Sequence, residues 1–406
     1  MPTNLINLNN EIHKQLSSDI QTVLFDCSKT AKEFGFSIYL IGGVVRDLFL
    51  NKEVFDVDIT VEGNAIEFCH KLADKGLCKI LQVQDNLKTV KAVFTNGIEI
   101  DFASTRQEFY PRRGHLPVVA KIGCKLEEDV LRRDFTVNAL AVSLNEDNFG
   151  TVIDYVGGIN DLKNKTLKVL HDNSFVEDPS RIIRGLKFAS RFNFKRDEKT
   201  RKLQENYQNK CLNRDISWTR VKSELNQAFS LNKADVYDKF LGTEIYKLLY
   251  AQKPDLNGSE IKSLIKLKQP EMPWLVYLGT VLFDKELIEA FCFTRQEKKV
   301  FVDIDNLLNS DLGLVNSNYD IYKFFEKKSL ESVLVYYLLT QRKEALLFIE
   351  KLSKIRVELK GDDLKGMGIV DGKEIGKMLD EILRKKLAGT LINRADELNF
   401  VNSKRK

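Results

Sequence analysis

Asp56 and Asp58 stand one valine apart in the stretch NKEVFDVDIT, Asn51 to Thr60. In extended chain, residues two apart share a face. The alternation Asp56-Val57-Asp58-Ile59-Thr60-Val61 therefore predicts a strand with two carboxylates side by side. Like charges so placed cost some tenths of a kcal/mol unless something offsets them. A solvated strand edge would tolerate the pair. The alternative is a hard divalent cation, because Mg²⁺ prefers carboxylate and phosphate oxygens and keeps several waters. Two such carboxylates can hold one ion or a pair. A third is then wanted from a neighbouring strand, to hold the metal that activates an attacking hydroxyl. Asp101, alternating with Ile100 and Phe102 in IEIDFAS, fits that need.

Upstream, YLIGGVVRDLFL (Tyr39 to Leu50) reads as strand, Gly42-Gly43 turn and helix. Glycines there let backbone N–H groups approach a ligand, and the helix start presents partial positive charge. Arg46 falls within the first turns, where a cation can reach a phosphate.

Three later clusters carry charge. In EEDVLRRDFTVNALAV (127–142), Arg132, Arg133 and Asp134 precede an apolar-periodic segment. Arg133 suits a phosphate and Asp134 a ribose hydroxyl, although a surface helix start would use the same residues. The Gly157-Gly158 turn in VIDYVGGINDLKNKTLKVL (152–170) reads as a linker or hinge. In VEDPSRIIRGLKFASRFNF (176–194), Asp178 followed by Pro179 is a helix start, with Asp as N-cap and Pro at the first helical position. On the helical wheel Ile182, Ile183, Leu186 and Ala189 take one side. Arg181, Arg184, Lys187 and Arg191 fall within an arc of roughly 120° on the other. No carboxylate of the segment interleaves them, so this face calls for an anion such as a nucleotide or RNA backbone, unless it is merely solvated.

The elements that must position these groups form two textures. Up to about residue 145 the chain is mixed α/β. An amphipathic helix spans 18–35, strands are expected at 37–41, 56–61, 89–94 and 98–103, and a helix at 65–76. Asn96-Gly97 joins the last two strands as a hairpin. Beyond about 175, helical periodicity dominates, in several small bundles, and NSKRK at the end reads as a frayed basic tail. The 406 residues predict roughly two to four domains. A 43% hydrophobic and 30% charged balance is that of an ordinary globular chain, and the net charge of +5 permits a nucleic-acid partner without arguing for one. Six scattered cysteines form no C-x-x-C pair, which predicts neither a zinc site nor a disulfide framework and suits the cytoplasm. No signal peptide and no membrane span are expected from the apolar pattern.

Taken in order, GGVVRD, DVD, IEID, RRDFTVNA, DYVGG, EDPSRIIRGLKFASR and ISWTRVKSEL (216–225) resemble the class II tRNA nucleotidyltransferases. These are the CCA-adding enzymes and their poly(A) polymerase relatives, of the DNA polymerase beta superfamily. GDDLKGMGIVDGKEIGKMLDEIL (361–383) resembles the tail of that family. The resemblance implies an α+β fold: a nucleotidyltransferase head with a small mixed β-sheet, then an all-helical half. It divides the chain into a head (1–145), a neck with a base-reading helix (146–230), a body (231–310) and a tRNA-binding tail (311–406).

It further implies that Asp56, Asp58 and Asp101 bind two Mg²⁺ ions and are the catalytic carboxylates. Gly42, Gly43, Arg46, Arg133, Asp134, Asn138 and Arg184 would hold the nucleotide, together with Lys187, which stands where an arginine is usual. Asp178 and Arg181 would read the base edge of CTP or ATP as a protein template. The physical basis is that C and A both carry an exocyclic amine beside a ring-nitrogen acceptor, whereas G and U reverse those atoms. Tyr155 replaces a usual proline, and 106–123 occupies the place of the flexible loop of the family. The lone His171-Asp172 pair does not make the HD metal site that some relatives carry. The implied activity is template-independent addition of CMP, AMP or both to the tRNA 3′ end. Narrower alternatives are A-adding, CC-adding or polyadenylating enzymes, and a different alternative is an inactive RNA-binding scaffold.

Overall fold

In the computed structural model the described residues are 6–210, 216–231, 233–310 and 317–404. They form an α+β N-terminal region and a helical remainder. Clustering of the backbone divides the chain into two compact units, Met1–Glu224 and Leu225–Lys406. Cys211 and the last two residues of NSKRK lie outside the described residues; the rest of that tail is helical up to Lys404.

The first unit is built on seven strands: β1 (Ser37–Ile41), β2 (Asp58–Glu62), β3 (Cys78–Gln84), β4 (Thr89–Phe94), β5 (Glu99–Ser104), β8 (Ala141–Ser143) and β9 (Val152–Ile153). β6 (Arg106–Phe109) and β7 (Val118–Ile122) form a separate hairpin. The sheet order is β3-β4-β5-β2-β1-β8-β9. Only β2 and β5 run parallel within it. Helices α1 (Asn9–Gln15) and α2 (Ser18–Phe34) precede the sheet; α3 (Gly43–Phe49), α4 (Ala65–Asp74) and α5 (Leu126–Leu131) connect its strands.

Local chemistry sets these boundaries. Ser17 caps α2 by accepting from Ile20 N, and left-handed Gly35 ends it. Asn64 caps α4 through two backbone N–H groups. The Asn96-Gly97 turn joins β4 to β5, where Gly97 takes φ 84°. The apolar faces of α2 and α4 close the core: Phe68 packs edge-on to Phe102, and both are fully buried. Each such ring contributes about 1.5–3 kcal/mol.

Three segments depart from the sequence expectation. The apolar segment after Asp134 is a 3₁₀ turn (Thr136–Asn138) followed by β8, not a helix. Being buried on both faces, it has no period to show. The 152–170 stretch is no free linker. Asp154 accepts from the backbone N–H of Val156, Gly158 and Ile159, and a Cβ on Gly158 would overlap the Thr136 carbonyl. Asp56 lies just ahead of β2 in exposed, non-repetitive chain, so the strand proper starts at Asp58.

After β9 come α6 (Gly158–Lys163), α7 (Ser174–Glu177), α8 (Ser180–Phe192), α9 (Glu198–Asn209) and α10 (Trp218–Phe229). A short parallel pair, β10 (Thr166–Leu167) with β11 (Lys195–Arg196), brings together the chain on either side of α7 and α8.

Among the described residues the second unit contains helices and no strand. Phe229, Tyr237, Phe240 and Tyr277 interlock as one aromatic core. Nearer the C-terminus, Leu359, Leu364, Ile375, Ile382 and Val401 form another. No described helix is long and apolar enough to cross a membrane.

Candidate active site

A cleft of about 590 Å³ opens in the first unit. Gly42, Gly43, Arg46, Asp56, Asp58, Arg133, Asp134, Asn138, Asp178, Arg181, Arg184 and Lys187 all line it. Eight basic side chains face five carboxylates in its lining, so much of the mild positive charge of the chain is concentrated in the cleft.

At one end, the parallel pairing of β2 with β5 sets Asp58 directly opposite Asp101. Asp101 is itself opposite Lys91 on β4, whose Nζ lies 3.2 Å from its carboxylate. Asp101 is the one expected site residue outside the cleft lining; the register places it beside Asp58. Burial pushes the Asp58 carboxyl up to about 6, the negative charges of Asp101 and Asp56 add to the rise, and Arg133 and Lys91 oppose it. Such a donor set, hard oxygens whose mutual repulsion is only partly offset by Arg133 and Lys91, suits a hard divalent cation. Yet among the described residues no three acidic side chains already converge as a ligand group, and Lys91 holds the third carboxylate.

The Gly42-Gly43 turn lines the same cleft as Asp58. Gly42 has φ 77°, and a Cβ there would lie 3.4 Å from Arg133 Nη1. Side chains rarely adopt that backbone, so glycine keeps this wall open. Arg133 itself donates to Asp129 at 3.0 Å, while its Nε is buried without a partner.

From here one polar chain crosses the site. Arg46 is only 4% exposed, with its guanidinium over the Phe192 ring at 4.5 Å. It grips Asp47 through two nitrogens, at 2.8 and 3.0 Å, and donates to Asn138 Oδ1 at 2.6 Å. Asn138 donates to Asp134 at 3.1 Å; Asp134 accepts from Arg184 Nε at 2.9 Å. Arg184 and Lys187 then share Glu224, at 2.9 and 2.7 Å. Burial pushes the Asp134 carboxyl up, but Arg184 and Arg181 outweigh it and hold the group below the usual carboxylate range. Burial opposes the charge on Arg184, and Asp134 and Glu224 overcome that and hold it more firmly protonated. Lys187 is the reverse case: burial wins and lowers it.

The cationic face of α8 therefore differs from the sequence expectation. Its apolar side is buried as expected, at Ile182, Ile183, Leu186 and Ala189. Its cations, however, are met by carboxylates from other elements: Asp134 and Glu224, with Asp47 at 3.7 Å from Arg191. Asp134 is likewise committed to Arg184 and Asn138, not held open for a hydroxyl.

Asp178 and Arg181 stand at the start of α8. The N-cap of α8 is Pro179, one residue later than the sequence suggested, and the Asp178 side chain lies just ahead of it, accepting from Ser180 N at 3.1 Å and from its hydroxyl at 2.5 Å. Arg181 Nε is 3.8 Å from Asp178, while its other nitrogens donate to Ser174 Oγ and the Arg132 carbonyl, both at 2.9 Å. The loop between β6 and β7 reaches the same place. Tyr110 OH is 3.4 Å from Arg181, and Gly114 bonds Glu177 O through its N–H and Ser217 N through its carbonyl.

Sequence reasoning passed over Arg220 and Glu224 as site residues. Arg220 Nη2 donates to Asp178 Oδ2 at 2.6 Å. Their four-residue spacing within ISWTRVKSEL put them on one helical face, which was the available signal.

Comparison with known proteins converges on one family. Residues 38–168 match the Poly A polymerase head domain. The chain is 33% identical over 374 residues to the A-adding tRNA nucleotidyltransferase of Aquifex aeolicus, covering 86% of this chain and 44% of that protein. It is 30% identical over 422 residues to that of Geobacter sulfurreducens, covering 96% and 47%. The chain thus spans about half the length of these relatives. Other matching proteins are named CCA-adding and CC-adding enzymes. Among solved structures, a CCA-adding enzyme in an apo form superposes with a TM-score of 0.80 at 25% identity, over 99% of this chain and all of that one.

Proposed function

From the premise that this chain belongs to the class II tRNA nucleotidyltransferase family, we propose that it transfers CMP, AMP or both from CTP and ATP to the 3′ end of tRNA. The observation that carries this reading is the Asp58–Asp101 pair, set in register beside a cleft of opposite charge. In the reaction, the terminal ribose 3′-oxygen bonds to the α-phosphorus of the nucleotide, and the bond to pyrophosphate breaks.

The residues divide the work by position. The backbone at Gly42 and Gly43 and the guanidinium of Arg133 receive the triphosphate, whose charge the cleft neutralises without proton transfer. Arg46 and Asn138 are held too firmly by their neighbours to move, so they fix the wall behind it. Asp178 accepts from the exocyclic amine of C or A, and Arg181 donates to the adjacent ring nitrogen once it turns from Ser174. Asp56, Asp58 and Asp101 would hold Mg²⁺, which supplies charge neutralisation at the reacting phosphate and a lower pKa for the attacking hydroxyl. The helical second unit takes the tRNA body by shape and phosphate contacts.

The narrower A-adding reading is favoured by the names of the Aquifex and Geobacter relatives. One experiment separates the possibilities. tRNAs ending before C74, after C75 and after A76 are incubated with labelled CTP or ATP and Mg²⁺. AMP added only to the CC end marks an A-adding enzyme, whereas CC or CCA on the shorter substrates marks the broader ones. Repeated adenosines on unrelated RNA would mean polyadenylation, and no incorporation with any nucleotide would overturn the reading.

A further inference from the structure

The carboxylate expected to read the base is not free to turn. Asp178 Oδ1 accepts from both the N–H and the hydroxyl of Ser180, and Oδ2 accepts from Arg220 Nη2 at 2.6 Å. Asp178 is only 3% exposed, and its two bonds from Ser180 are buried, whereas Arg220 reaches it from the partly exposed side of the cleft. An ionised carboxylate offers about four lone-pair sites, and three are taken here. One acceptor site remains, on the oxygen that Arg220 grips. Arg220 comes from α10, far along the chain; it lines the cleft, and its Nη1 is buried without a partner. That hydrogen bond fixes the rotamer of the carboxylate and occupies one of its acceptor sites.

We propose that Arg220 is the positioning residue of the base reader: it locks Asp178 as an acceptor with a single open site, and so sets the discrimination of C and A against U and G. A base with an exocyclic amine fills that site. A base with a carbonyl there faces another acceptor, and a buried acceptor left unpaired is costly. Freed from Arg220, Asp178 rotates away from that acceptor geometry, and the selection against U and G is lost. This proposal rests on the reading of the cleft as a nucleotidyl-transfer site.

The test compares the intact protein with Arg220→Met, which keeps the length without donors, and Arg220→Lys, which keeps one donor and the charge. Incorporation of UTP against CTP, and of GTP against ATP, is measured on tRNAs ending before C74 and after C75. Binding of each nucleotide alone is followed by equilibrium dialysis, so the result does not depend on turnover. The expected outcome is that Arg220→Met raises the wrong-to-right ratio by about tenfold or more in both assays, the worth of one buried hydrogen bond to a charged group, with Arg220→Lys recovering part of the loss. If Arg220→Met lowers turnover but leaves both ratios within about twofold, well under one such bond, the residue is only structural and the proposal fails. If Arg220→Met does not fold, Arg220→Lys decides alone: an unchanged ratio overturns the proposal, and a raised one supports it. Inactivity of the intact protein with every nucleotide would instead remove the transfer reading beneath it.

Discussion

Two groups of charge at and beside this cleft are treated in opposite ways. Arg184 and Lys187 of α8, Glu224 of α10 and Asp134 from the chain after α5 neutralise one another almost completely. At the β2–β5 pairing, Asp58 and Asp101 face each other, and the nearest counter-charges, Lys91 and Arg133, do not keep the Asp58 carboxyl from rising to about 6. The first arrangement is scaffold, because every charge is used up inside the fold. The second leaves an electrostatic demand that only something from outside can meet. Charge that the fold has not satisfied is therefore a better pointer to substrate and metal than charge as such.

The largest test of that contrast is Asp58→Asn. It should lower nucleotide incorporation by at least about a hundredfold, the scale on which a single group that stabilises transition-state charge acts. Its melting temperature, measured without metal, should hold or rise, because a repelling charge has been removed. A melting temperature that falls sharply would mean that Asp58 is structural. Glu224→Gln should give the opposite pattern. It leaves Arg184 and Lys187 short of a carboxylate and should cost on the order of 2 kcal/mol in urea denaturation, with partial exposure of Arg184 softening the loss.

A pH titration of stability separates the same two groups by sign. Asp58 has its folded pKa raised above the unfolded value of 3.8. The folded state therefore binds the extra proton between those values, and its contribution is lost as pH rises from about 4 to about 6. Asp134 is held below 3.8, so its contribution is present above that value and disappears as the solution becomes more acid. Metal-free protein followed by urea unfolding from pH 3 to pH 7 should show both trends. The Asp58 part is on the order of 1–2 kcal/mol for a half-buried group, and Asp58→Asn should remove it. A slope unchanged by that substitution would locate the titration elsewhere.

What could be read from the chain alone follows the same division. The strands carrying the carboxylates were legible because Ile59, Val61, Ile100 and Phe102 alternate into the core, which fixes where their neighbours point. β3 was not, because a bulge between Ile80 and Gln82 breaks its period and Leu81 and Val83 face solvent at the sheet edge. β8 was not either, since both its faces are buried. The cationic arc of α8 was legible, but its partners were not: Asp134 and Glu224 are 50 and 40 residues from Arg184. A wheel shows the charges of one helix and nothing of what the fold brings to meet them. Arg220 is the same failure seen from the other side, a charge whose partner, Asp178, lies 42 residues away.

The smallest expected effect tests whether the unsatisfied corner is as open as the contrast requires. Lys91 lies 3.2 Å from Asp101 and 3.5 Å from Glu99, with its side chain 39% exposed. Those contacts hold it more firmly protonated, mainly through the hydrogen bond to Asp101. A surface pair of this kind contributes under about 1 kcal/mol. Lys91→Ala should therefore leave the melting temperature nearly unchanged. But Lys91 competes for the carboxylate that the proposed metal needs. Its removal should tighten binding of Mn²⁺, titrated calorimetrically as a stand-in for Mg²⁺, by about threefold, which corresponds to a few tenths of a kcal/mol. Unchanged Mn²⁺ affinity would mean that Asp101 takes no part in holding the ion. Weakened affinity would mean that Lys91 orients Asp101 for the task, and that this corner too is partly built in advance.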